Sequence, residues 1–225
     1  MKLPDFSIGP RSQTLVVFVI VLVSLIKNIM SYSFVFGGLS TFAPVLVRGP
    51  LEMSWTLLRF VVTGAVVAFW LMGRKRALFR AIIIANSVFT IGLILTTGSL
   101  VSVLFGFKAS GVGVLLFDVL LLATANILVF SIWYWIIDPP GIDVDEPLNT
   151  PWDFLFPQRS SLLPGYEHWE PRYSDYLFLA FTTTFAFSPT DTLPLTRRAK
   201  LLMMLQATIS VVTLVVVVGS AVNVL

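Results

Sequence analysis

The chain has no cysteine and a single histidine. Without thiols there is no disulfide framework, no iron–sulfur cluster and no thiolate nucleophile. One histidine, with no HExxH run and no paired-histidine spacing, gives nothing from which to build a zinc site, so neither a metal nor another cofactor is expected. Charge is scarce as well, at 12% of residues where soluble domains carry about 25%. No Ser-His-Asp grouping, phosphate-cradling glycine loop or carboxylate pair recommends catalysis, and no catalytic residue is expected.

Apolar sequence takes the place of charge. Of the 225 residues 56% are hydrophobic, and the mean hydropathy is +0.90. That is the composition of an integral membrane protein, whose first partner is the lipid bilayer. The net charge of +3 is small, and the cations gather at the ends of apolar runs. There they set topology rather than form a nucleic-acid surface. The length suffices for an all-α polytopic bundle of about five transmembrane helices, at roughly 20 residues each.

Residues 1–137 read as a four-helix transmembrane region. The first run, Thr14 to Phe36, carries Lys27-Asn28 and lacks a small-x-small cleavage pattern, so it reads as a span and not a signal peptide. A loop-like stretch from Gly37 to Pro50 leads to a second span, Leu51 to Gly73, containing Arg59. The basic turn Arg74, Lys75, Arg76 and Arg80 precedes a third, Ala81 to Leu104. The fourth, Val112 to Ile137, holds Asp118 and ends in Trp133-Tyr134-Trp135, an aromatic interface belt. Across residues 138–172 seven prolines, in and just around the stretch, break helices and strand ladders alike. Trp152, Phe154, Phe156, Tyr166 and Trp169 argue against disorder there, so an ordered, aromatic-anchored interfacial surface segment is expected. His168, between Glu167 and Glu170, reads as part of a surface turn.

Residues 173–225 carry the functional argument. A short apolar run from Tyr173 ends in a polar turn, Ser188-Pro189-Thr190-Asp191, and a cation-marked span follows from Arg197. A helix too short to cross, a polar loop and then a full span is the layout of a re-entrant pore-like segment. Non-helical backbone at membrane depth survives where protein buries it or water lines it. Hydroxyls and a carboxylate there suit a cation path, and Thr184, Ala186, Phe187, Ser188, Pro189, Thr190 and Asp191 are the filter-like positions. The competing reading makes Asp191 a cap of the last helix or a partner of Arg197 or Arg198. On that helix Gln206, Ser210, Thr213 and Ser220 share one face. They line a vestibule in one reading and glue helices together in the other. The intramembrane charges Lys27, Arg59 and Asp118 are functional candidates by their cost in lipid, with an Asp118–Arg59 or Asp118–Lys27 pair as the structural alternative.

Loop charge sets the orientation. The basic turn at 74–80 shares a face with residues 138–200, which add Arg159, Arg172, Arg197, Arg198 and Lys200, whereas the opposite end of the hairpin offers Lys108. Cations near span ends mark the cytoplasmic side, so the pore-like segment is expected to dip in from the cytoplasm.

The layout of residues 173–225, about a quarter of the chain, resembles the potassium-channel superfamily. Asp191, Pro194 and Thr196 fall on that family's closing acidic residue and on the proline and threonine beyond it. Ala186-Phe187-Ser188-Pro189-Thr190 fall on its Thr-Val-Gly-Tyr-Gly. Ser188 and Thr190 stand where the family has glycines, whose left-handed backbone they do not share, and Pro189 locks φ. A four-site potassium filter is therefore not expected. The resemblance implies a homo-oligomer, with a tetramer favoured, around a path for a monovalent cation. A dip from the cytoplasm is similar to the inverted pores of glutamate receptors. Trp133-Tyr134-Trp135, Asp153-Phe154-Leu155-Phe156-Pro157-Gln158, Asp175-Tyr176-Leu177 and Ala186 to Asp191 also resemble a family of uncharacterised bacterial integral membrane proteins, which implies the bacterial inner membrane. Where that family often has Gly-Gly-Pro after the aromatic helix, this chain has Asp138-Pro139-Pro140-Gly141. The alternative function is a non-conducting membrane protein that binds a partner through residues 138–172.

Overall fold

A computed structural model describes residues 10–30, 45–106, 112–138, 152–160, 165–166, 169–186, 188 and 191–222. Among these, seven helices and one short strand pair account for the fold: α1 (Pro10–Ile29), α2 (Val45–Leu71), α3 (Lys75–Gly106), α4 (Val112–Ile137), β1 (Phe154–Leu155), α5 (Pro157–Ser160), α6 (Tyr173–Ala186), β2 (Leu193–Pro194) and α7 (Arg197–Val222).

Four helices, α2, α3, α4 and α7, are long and apolar enough to cross a membrane. Five spans were expected. The apolar part of α1, Gln13–Ile29, is a shorter helix, below the roughly 20 residues that a bilayer core requires. Its helix stops at Ile29, two residues after Lys27, and the rest of the expected first span, through Phe36, lies outside the described residues. The second span falls at Met53–Leu71, close to the expected Leu51 to Gly73, within a helix that begins earlier, at Val45. Pro50 falls in that helix's second turn, where the missing N–H removes one intrahelical bond near the helix end.

α2 and α3 are joined by a tight turn. Gly73 adopts φ +66°, its N–H donates to Trp70 O and that of Arg74 to Phe69 O, both at 3.1 Å. This pair of bonds is a Schellman cap, in which a left-handed residue satisfies the last helical carbonyls. α3 and α4 run antiparallel. Phe79 and Trp135 meet at a tilt with ring centres 6.5 Å apart, Trp133 Nε1 donates to Thr90 Oγ1 at 2.8 Å, and Asn86 Nδ2 donates to Val129 O at 3.1 Å. The basic turn therefore lies at the same end of the bundle as Asp138.

α4 is the central helix. It packs against α1, α3, α6 and α7 and buries every residue from Ala125 to Ile132. α1 lays Val16, Val17, Val19, Ile20 and Val23 inward and leaves Leu15, Phe18 and Leu25 exposed, a one-sided stripe fit for a helix with lipid behind it.

Within the expected surface segment, the described part around β1 turns inward, while Tyr166 is exposed. Phe154 is fully buried and Phe156 nearly so. Phe154 meets Tyr134 edge-on at 5.1 Å, and Phe156 meets Tyr176 at 5.6 Å. β1 pairs antiparallel with β2, Phe154 opposite Pro194 and Leu155 opposite Leu193. Aromatic rings bury large apolar areas, and here they fill the end of the bundle instead of lying on a membrane surface.

Candidate functional site

The site is organised by two carboxylates, Asp138 just past α4 and Asp153 just before β1, whose side chains are fully buried. A buried charge persists only when paired and hydrogen-bonded. Asp138 Oδ1 accepts from the backbone N–H groups of Asp153 (3.0 Å) and Phe154 (3.3 Å). Its Oδ2 accepts from Arg159 (3.0 Å) and the Tyr176 hydroxyl (2.6 Å). Burial, then the Asp138 carboxylate, pushes the Tyr176 phenol well above its ordinary value, which keeps it a donor. Arg159 also donates to Phe154 O at 3.0 Å and lies over the Trp152 ring at 4.8 Å.

Asp153 receives Arg198 in a fork, with Nε on Oδ1 at 2.7 Å and Nη2 on Oδ2. Planar two-point pairing of this kind is what a guanidinium does best. The Thr196 hydroxyl donates to Asp153 as well and accepts from Ala199 N–H at 3.3 Å. Thr196 is thus the N-cap of α7, the role weighed for Asp191, and the acid that holds Arg198 is Asp153. Leu195 N–H donates to Asp153 O at 2.9 Å, and Arg198 Nη2 reaches Ile137 O at 3.1 Å.

Between these anchors the chain makes an excursion. α6 leaves from the Asp138 end, where Tyr176 is bound, and β2 returns to the same end beside Phe154. α6 has 14 residues, about 21 Å at 1.5 Å per residue. Its inner face carries Tyr173, Tyr176, Leu179, Ala180, Thr183 and Thr184. Tyr173 shares a 2.6 Å hydrogen bond with Ser131. Its outer face exposes Phe178, Phe181 and Phe185.

Gln206 locks α6 to α7 and α4. Its Nε2 donates to Ala180 O and to Thr184 Oγ1, each at 2.8 Å, and its Oε1 accepts from the Tyr134 hydroxyl. One turn on, Ser210 Oγ donates to Gln206 O and accepts from Asn126 Nδ2 at 3.0 Å, while Thr213 donates to Ile209 O. All three are buried. Thr184, Ser210, Thr213 and Asn126 border a cavity of about 210 Å³ between α4, α6 and α7, and the buried Asn126 Oδ1 has no hydrogen-bond partner among the described residues.

The filter-like positions fall at the far end of α6. Thr184 is buried, Ala186 ends the helix exposed, and Ser188 and Asp191 are exposed. Phe187, Pro189 and Thr190 lie outside the described residues, as do Glu167 and His168. Lys27, Arg59 and Asp118 are all buried. Lys27 Nζ donates to Thr96 Oγ1 at 3.2 Å and Arg59 Nη2 to Thr56 Oγ1 at 3.3 Å. Asp138–Arg159 and Asp153–Arg198 form ion pairs. Among the described residues no three acidic or histidine side chains come together as a metal-ligand set.

Sequence reasoning missed Asp138, Asp153 and Arg159 as site residues. The available signal was an acid directly after the aromatic belt, at a depth where an unpaired charge is costly.

These helices define a polytopic, multi-pass α-helical membrane protein. No protein-family model, curated protein or solved structure matches the chain.

Proposed function

We propose that the chain is a channel-like integral membrane protein of a bacterial inner membrane. In this reading α6 and the loop after it dip into the bilayer from the basic side, and α7 then crosses. The observation that carries the reading is the return of residues 173–196 to their starting point. Tyr176 near the start of α6 and Phe154, paired with β2, are both bound to Asp138, while α6 is too short to cross. Copies of the chain arranged around an axis, four by the layout, would set Ser188, Thr190 and Asp191 about a path for a monovalent cation. Gln206 fixes the pore-like helix in place from behind through Ala180 and Thr184, and no catalytic step is involved.

The test is native mass in nanodiscs together with cation flux in vesicles. A symmetric tetramer whose flux changes on Asp191→Asn supports the reading. A monomer without flux overturns it. The partner-binding alternative through residues 138–172 is less well supported, because Phe154 and Phe156 are turned inward and Trp152 stacks on Arg159.

A further inference from the structure

A second feature lies away from the pore-like hairpin and does not depend on it. Val62, Ala65 and Phe69 of α2 face Ala77, Arg80, Ala81 and Ile84 of α3 across an open, apolar groove of about 310 Å³. The two walls match in length. Val62 to Phe69 and Ala77 to Ile84 each cover about 10 Å of helix at 1.5 Å per residue. The groove therefore runs along the helix axes, away from the turn at 72–74. The alanines on α3 hold it open, since a larger side chain at 77 or 81 would fill it.

At the turn end the groove meets cations. Arg80 forms part of its lining, Arg76 lies one helical turn from Arg80, where side chains are neighbours, and Arg74 and Lys75 precede them. All four are exposed, and neither Asp138–Arg159 nor Asp153–Arg198 involves them. The sequence from Met53 to Phe117 has no acidic residue, and the one acid of α2, Glu52, lies about 30 Å along the helix from the turn at 1.5 Å per residue, so neither wall of the groove supplies a carboxylate to neutralise this charge. The Schellman turn at Gly73 joins the two walls of the groove just ahead of these cations. Topology alone would ask for positive charge near the span end. It would not ask for an apolar slot beneath one of the arginines.

We propose that this groove is a binding site for one anionic phospholipid of the leaflet on the basic side, with an acyl chain along α2 and α3 and the phosphate on Arg80 and Arg76. Basic pockets between membrane helices take acidic headgroups, guanidinium matches phosphate oxygens at two points, and the slot matches a hydrocarbon chain in direction and polarity.

The experiment is native mass spectrometry of the full chain released from vesicles of equal phosphatidylglycerol and phosphatidylcholine. Wild type is expected to retain phosphatidylglycerol preferentially. Arg80→Gln should lower that retention about fivefold, the effect of one cation near a membrane surface. Arg76→Gln, at an exposed position, serves as the second charge variant should Arg80→Gln fold poorly. Ala77→Phe fills the groove, leaves the charges in place and should also release the lipid. Equal retention of the two lipids, or unchanged retention in Ala77→Phe, overturns the proposal. So does displacement by soluble glycerol phosphate, which would assign the cations to free phosphate.

Discussion

Arg198 at the start of α7 grips Asp153, 45 residues earlier, with Nε and Nη2 on separate carboxylate oxygens. The acid is fully buried while the arginine side chain is 58% exposed. The pair is thus asymmetric: removing the cation strands a buried charge, whereas removing the acid returns the arginine to water. Arg198→Ala is expected to destabilise the protein more than Asp153→Asn does, as read by denaturation in detergent. Equal losses would show that desolvation of Asp153 does not set the balance.

Asp138 is tied more tightly, by Arg159, Tyr176 and two backbone N–H groups. Asp138→Ala leaves a buried guanidinium without its carboxylate, a change that costs about 3–5 kcal/mol. A loss under 1 kcal/mol, on the order of an exposed ion pair, would mean that water reaches the cluster.

Tyr176 gives a pH signature. Its folded-state pKa is raised, so its contribution is fully present below the unfolded value, about 10, and falls as pH rises from there toward the folded value. At neutral pH Tyr176→Phe should cost about 1.5–3 kcal/mol, the range for a hydrogen bond to a charged group. Above about pH 10 the gap between wild type and variant should narrow. Melting curves from pH 7 upward in both proteins check it, and a constant gap would count against the Tyr176–Asp138 bond.

Gln206→Leu separates the two readings of the α7 stripe. Three side-chain contacts between helices are lost, each worth about 0.6 kcal/mol in a membrane, so stability should fall by about 2 kcal/mol. A change in flux with stability intact would instead place Gln206 on the water path.

Gly73→Ala tests the turn that closes α2. No atom crowds the position, so the effect is backbone strain alone, about 1 kcal/mol. Loss of phospholipid selectivity in the same variant would show that the turn sets the arginine positions.

The long elements were legible from the sequence. α4 and the start of α7 fall where the apolar runs begin and end, since runs of that length read as spans whatever surrounds them. The short helix α6 was legible as well, its sequence being bounded by Tyr173 and a Ser-Pro pair. The cluster beneath it was not. Asp138, Asp153, Arg159, Tyr176 and Arg198 share no period, and ion pairs across 21 and 45 positions leave no local trace. Proline density read as surface because it rules out regular structure but says nothing about burial, and Phe154 and Phe156 went inward. Thr196 was passed over as the cap in favour of Asp191 because both precede the same helix, and only geometry distinguishes them.

The placement of Asp138 also dictates an order of events during synthesis. A ribosome delivers Asp138 with α4, before its partners Arg159 and Tyr176 leave the exit tunnel. Until they do, the carboxylate at the end of the central helix has no guanidinium to neutralise it, so that end of the helix stays near water. Its final seating waits for the last quarter of the chain. A nascent chain halted before Arg159 and Tyr176 emerge should remain open at its basic end and accessible to quality-control proteases, whereas one halted after both have emerged should close there.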